Sequence, residues 1–159
     1  MALTTAQKAT LKADIQATPA LNTMYVEGNL GGLADAYNAA ASPAFTVWKT
    51  SVPIVDVGRA FNGTEWAGMT STNHTRLQTV ALYSSTVNPS DADIRAMFDD
   101  IWSGAGGALT RNNPLALWKR LAKRGEKMFA SGTGSDLSPA TMTYEGDISY
   151  QDVEQARRL

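Results

Sequence analysis

The chain has 159 residues, 43% of them apolar and 18% charged, with a net charge of −1; this is ordinary globular usage, long enough to bury a core in one domain, and it excludes both wholesale disorder and a global field that would drive binding to nucleic acid. There is no cysteine, which excludes disulfides, cysteine-ligated metal and thiol catalysis and suits assembly in a reducing cytoplasm. No run of about 18 apolar residues occurs, so no transmembrane helix is expected, and the opening MALTTAQKATLKADIQ lacks the basic and apolar regions of a signal peptide.

Thr4 followed by Gln7 reads as a capping box and predicts a helix to about Ala17, with Leu11 and Ile15 on a sparse apolar side. Thr18-Pro19 stops that helix and starts a second, because proline is well placed at a first helical position; Gly28 ends it. Asn29 caps a third helix to about Ala40, with Leu30, Leu33, Ala34 and Tyr37 inward. Ser42-Pro43 breaks the chain. The run AFTVWKTSVP fits either a short extended piece or a tight helical turn.

Ser51 is placed to cap a helix to about Ala60, with Pro53 near its first turn. FNGTEWAGMTST reads as loop, since Asn62-Gly63 is a turn pair. A helix from Thr72 to about Ser84 turns Leu77, Val80 and Ala81 inward. Asn88-Pro89-Ser90-Asp91 is a helix start, and Ile94, Met97, Phe98, Ile101 and Trp102 give that helix a full apolar stripe ending at Gly104. AGGALTRNN reads as a flexible entry to the next element.

The segment 114–129, PLALWKRLAKRGEKMF, carries the strongest pattern of the chain. Leu115, Trp118, Leu121, Ala122, Gly125, Met128 and Phe129 recur at steps of three or four and predict one helix with an apolar stripe. On that helix Lys119, Lys123 and Lys127 sit four apart, with Arg120 and Arg124 on the adjoining row. Such a face is a solvated surface, or a contact for phosphates or an acidic partner. Beyond Phe129 the run SGTGSDLSPATMTYEGDISY is rich in glycine and serine and reads as a loop or hairpin arm; Met142 and Tyr144 alternate with threonines, as a short strand would. Ser149 with Asp152 starts a last helix. The expected fold is all-α: a single helical domain of about six to seven helices, with residues 1–130 as a helical core and 131–159 as an extended arm plus C-terminal helix.

No catalytic, cofactor or metal set emerges. His74 is the only histidine and has no nucleophile or carboxylate at a fixed spacing. Asp91, Asp93, Asp99 and Asp100 are the densest acidic cluster, but the first two sit in a first helical turn, where the helix dipole favours them. An acidic turn could also meet the basic face. Ser131-Gly132-Thr133-Gly134 lacks the lysine of a phosphate loop, so flexibility is its better reading. Of the four tryptophans, Trp48, Trp102 and Trp118 lie in apolar faces or runs and, with Phe129, are candidate core or interface anchors; Trp66 lies in a loop-like run. The candidate interaction surface is Lys119, Arg120, Lys123, Arg124 and Lys127, with Arg111 nearby.

The segments SPAFTVWKTSVP (42–53), KMFASGTGSDLSPATMTYEGDISYQDVEQAR (127–157) and the opening LTTAQKATLKADIQATPAL resemble small proteins encoded among the structural genes of tailed bacteriophages, over nearly the whole chain. The resemblance implies a non-enzymatic virion subunit, foremost a head–tail connector: a neck adaptor ring of identical subunits beneath the portal. Its partners would be the portal and other neck or tail proteins, with non-specific contact to packaged DNA and no membrane. It would be assembled in the host cytoplasm. A capsid-associated or tail-completion protein, and a small intracellular DNA-binding protein that uses the basic helix, are the alternatives. A ring needs a packed helical core and heterologous contacts that close, roles the helices and the 131–149 arm would supply.

Overall fold

The computed structural model describes residues 2–103 and 105–159, with the side chains of all but 81–83 and 105. Helix α1 spans Thr5–Ala17. The Thr4 hydroxyl accepts from the Gln7 amide at 3.2 Å and the Gln7 side chain accepts from the Thr4 amide at 2.9 Å. Helix α2, Pro19–Glu27, has its proline in the first turn and ends at Gly28. Helix α3, Leu30–Asn38, is capped by Asn29, which accepts from the Gly32 amide. Leu33, Ala34 and Tyr37 are buried, as their spacing requires, and Leu30 packs half-buried beside them.

The chain is mostly helical, with ten α-helices among the described residues, but short strands are present, so all-α holds only roughly. They are β1 (Thr46–Trp48), β2 (Val52–Pro53), β3 (Thr86–Val87), β4 (Lys119–Leu121), β5 (Ala130–Ser131) and β6 (Thr141–Met142). β2 and β3 are antiparallel, with Val52 opposite Val87; so are β5 and β6, with Ala130 opposite Met142.

Two compact units form, and they do not divide at 130/131. Unit 1 joins the chain up to Val47 with Leu121–Leu159; unit 2 is Trp48–Arg120. In unit 1 the last helix, α10 (Tyr150–Arg157), packs against α1 and α3. Ser149 and Asp152 cap it reciprocally, and the Asp152 carboxylate also accepts from the Leu3 amide at 3.3 Å. The expected arm is part of this core: Ala140, Met142, Tyr144 and Ile148 are all buried. Its composition hid this because the contacts are long-range. The Asn38 side chain donates to the Ile148 carbonyl at 3.0 Å and accepts from the Ile148 amide at 2.8 Å.

Unit 2 holds α4 (Ile54–Arg59), α5 (Gly63–Ala67), α6 (Ser71–Tyr83), α7 (Ala92–Ile101) and α8 (Ala108–Leu117). The α7 stripe behaves as its period dictates: Phe98, Ile101 and Trp102 are buried, and Ile94 and Met97 pack half-buried beside them. Leu77 and Val80 of α6 join the same core; Ala81 and Gly104 lie outside what is described.

Three expectations here need correction. The helix expected from Ser51 begins only at Ile54, because Val52 and Pro53 pair with β3. The loop-like run 61–72 contains α5, which Asn62 caps by accepting from the Thr64 and Glu65 amides at 3.1 Å. The flexible entry 105–113 is helical. Its start is capped from afar by Glu65, whose carboxylate accepts from the Leu109 amide at 3.0 Å and the Thr110 amide at 2.6 Å. A bond from the Thr110 hydroxyl, and then these two amide bonds, hold the Glu65 carboxyl below the usual range. Pro114 therefore sits inside α8 rather than at a helix start.

The largest correction concerns 114–129. Instead of one helix there are the end of α8, strand β4 and the single turn α9 (Arg124–Met128). Backbone groups that a helix would pair locally are taken by distant partners. The Ala122 amide donates to the Phe45 carbonyl at 2.8 Å, the Ala41 amide to the Ala122 carbonyl at 3.0 Å, and the Arg124 amide to the Ala39 carbonyl at 2.9 Å. Leu121, expected on the inner stripe, is 62% exposed. Spacing alone cannot register this competition between a local ladder and a distant one.

Candidate interaction surfaces

With that helix gone, the basic residues are divided between the two units. Lys119 and Arg120 lie on β4 in unit 2, whereas Lys123, Arg124 and Lys127 belong to unit 1. Within the chain, Lys123 and Arg124 are answered by acids of unit 1. Lys123 reaches Asp147 at 2.5 Å, Arg124 reaches Asp14 at 3.2 Å, and Asp100 pairs with Arg76 at 2.7 Å inside unit 2. Glu126, between the unit 1 cations, is buried, and its carboxylate accepts from the Lys123 amide at 2.9 Å and the Gly146 amide at 3.1 Å.

Arg124 stands in a small polar network. Its guanidinium also approaches the Thr18 hydroxyl at 3.3 Å and lies 5.2 Å from the centre of the Tyr37 ring. The Tyr37 hydroxyl donates to the same Asp14 carboxylate at 2.5 Å. Burial, then this bond to an anion, pushes the phenol far above its ordinary pKa. Asp14, Arg124, Lys127 and Ser42 border a cavity of about 440 Å³ in unit 1, walled by Ala36, Ala40 and Met128. Lys127 has no carboxylate partner among the described residues; its ammonium rests 5.4 Å from the Phe45 ring centre.

The aromatic anchors divide in the same way. Trp102 and Trp118 are buried in unit 2, with Trp118 edge-on to Phe98 at 4.8 Å and Trp48 half-buried beneath the Arg95 guanidinium. Phe129 is buried in unit 1 against Tyr144. Trp102, Trp118 and Phe129 are core residues, and Trp48 packs half-buried against the unit 2 core. The indole N–H groups of Trp102 and Trp118 are buried without a partner among the described residues. An apolar cleft of about 490 Å³ opens in unit 2, lined by Ile54, Val55, Phe61, Trp66, Leu77 and Phe98. Trp66, expected in a loop, stacks on Phe61 at 5.4 Å and meets His74 edge-on at 4.6 Å. His74 thus sits against an aromatic ring. Asp91 caps α7 by accepting from the Asp93 amide, and the described residues contain no group of three acids and histidines placed to hold a metal.

A surface that the pattern missed is the 132–139 loop, expected to be flexible. The Thr46 amide donates to the Gly134 carbonyl at 2.7 Å and the Thr133 hydroxyl to the Ser138 carbonyl at 3.0 Å. Gly134 has φ +66°, and a Cβ there would overlap the Phe45 ring. The braced loop holds Leu137 98% exposed. Its signal in the sequence is one leucine in an otherwise polar stretch, too short for any periodic test. No helix among the described residues is long and apolar enough to cross a membrane. No protein-family profile, curated protein or solved structure matches the chain.

Proposed function

We propose that the chain is a non-enzymatic structural subunit of a tailed-phage virion, a head–tail connector that forms a neck ring with copies of itself beneath the portal. The observation that carries this reading is Leu137, fully exposed on a loop whose backbone is fixed by hydrogen bonds and a glycine–aromatic contact. A lone leucine held rigidly in water suits burial in a partner, because little conformational freedom remains to be lost on docking. Unit 2 supplies the other half, an apolar cleft lined by aromatic and aliphatic side chains. One surface that donates and a different one that accepts is what heterologous contacts between identical subunits require, and such contacts close into rings when the rotation permits.

Neighbouring portal and tail proteins would dock on the remaining ring surface. The DNA-binding alternative rested on one continuous basic helix, and the described residues form no helix over 118–123. Mass analysis of purified particles tests the reading: the chain should be present in fixed proportion to the portal. Absence from intact particles, with the protein abundant in the infected cell, would overturn it.

A further inference from the structure

The cavity beside α9 brings two unit 1 cations together, Arg124 and Lys127. Lys123 and Arg124 have carboxylate partners in the same unit, Asp147 and Asp14. Lys127 lines the cavity with Arg124, and the only acid lining it is Asp14. Asp14 is already engaged by the Tyr37 hydroxyl and Arg124. Two cations against one carboxylate leave the cavity one positive charge in excess.

The placement of Lys127 is specific. Its ammonium is held over the Phe45 ring, and Phe45 is itself fixed against Gly134. A cation over an aromatic face keeps its full charge and its donors for a further ligand. Arg124 is oriented by Asp14, Thr18 and the Tyr37 ring, so its planar fork is set before any ligand arrives. Ser42 adds an exposed hydroxyl at the rim. A guanidinium, an ammonium and a hydroxyl facing one cavity form the donor set of a phosphate group.

We infer that this cavity binds a single phosphate group, either free or as a small phosphomonoester whose organic part lies on Ala36, Ala40 and Met128. This site is independent of the assembly reading, and Leu137 takes no part in it.

The test is a titration of the isotope-labelled full chain with sodium phosphate in an oxyanion-free buffer, followed by amide NMR, with sodium chloride matched for ionic strength. Saturable shifts at 39–42 and 124–128 are expected. Lys127→Met should weaken binding by about ten-fold or more, and Lys127→Arg should keep it within about three-fold, because the charge-assisted bonds survive. Arg59→Gln, a substitution in unit 2, should change nothing. Glycerol 3-phosphate distinguishes the source: tighter binding than inorganic phosphate assigns the apolar wall to an organic part, and equal binding assigns the site to the free ion. Shifts no larger than with chloride, or equal affinity in Lys127→Met, would overturn the site. So would binding that only a DNA oligonucleotide shows.

Discussion

Unit 2 is one unbroken stretch whose buried set is mainly aromatic and aliphatic, with Thr110 its buried polar side chain and no buried charged one among the described residues. Unit 1 joins both ends of the chain and buries Glu126 and Asp152 among its apolar residues. The difference shows how each is specified. Unit 2 is built from stripes at helical spacing, such as Ile94-Met97-Phe98-Ile101. Unit 1 is registered by polar side chains that bind backbone more than a hundred residues away, as Asn38 binds Ile148 and Asp152 binds Leu3. Burial stabilises the first without fixing direction; hydrogen bonds fix the second at a smaller net gain each.

The sharpest way to break the contrast is to cut the unit 2 core. Trp118→Ala removes the largest fully buried side chain and should cost about 3–5 kcal/mol, read as a lower urea midpoint. An unchanged midpoint would remove Trp118 from that core. In unit 1 the matching experiment is Asn38→Ala, which leaves the Ile148 amide and carbonyl unpaired. It should cost about 1–3 kcal/mol, with hydrogen exchange rising first over 144–149. Uniform exchange across both units would contradict a local role.

These experiments also mark what could be read from the chain. The caps at Thr4, Asn29 and Ser149 and the α7 stripe were legible because cap and stripe lie within a few residues of each other, whereas Asp91, read as a first-turn residue, is the cap itself. The α8 start was not, because its cap is Glu65, more than forty residues earlier. The 114–129 helix failed for the same reason: its apolar spacing is genuine, but the 39–45 stretch takes its backbone. The basic cluster was visible as a composition, whereas its partners Asp14 and Asp147 were not. Leu137 gave no periodic signal at all.

A smaller effect separates the units by pH. Burial alone would raise the Asp152 carboxyl, but bonds from the Ser149 hydroxyl and the Ser149 and Leu3 amides outweigh it and hold the group below its ordinary value. A depressed folded pKa gives stability that is fully present above the unfolded value, about 3.9. That stability is lost as pH falls through the lower folded value. Acid titration of unfolding should therefore show a drop beginning near pH 4 that Asp152→Asn flattens. Identical acid limbs in both proteins would refute the assignment. Smallest of all is Arg76→Gln, which breaks an exposed pair with Asp100 and should shift stability by about 0–1 kcal/mol; a larger loss would mean that unit 2 relies on charge after all.

The central claim is that copies of the chain associate through the Leu137 loop. Sedimentation velocity of the wild type and of Leu137→Asp, over a range of concentrations, tests it most directly. Leu137 makes no contribution to the buried core, so the variant should keep the wild-type circular dichroism and unfolding midpoint. Wild type should sediment as a closed oligomer of defined mass, and the variant as a folded monomer. A wild type that stays monomeric throughout, or a variant that assembles as the wild type does, would contradict the claim.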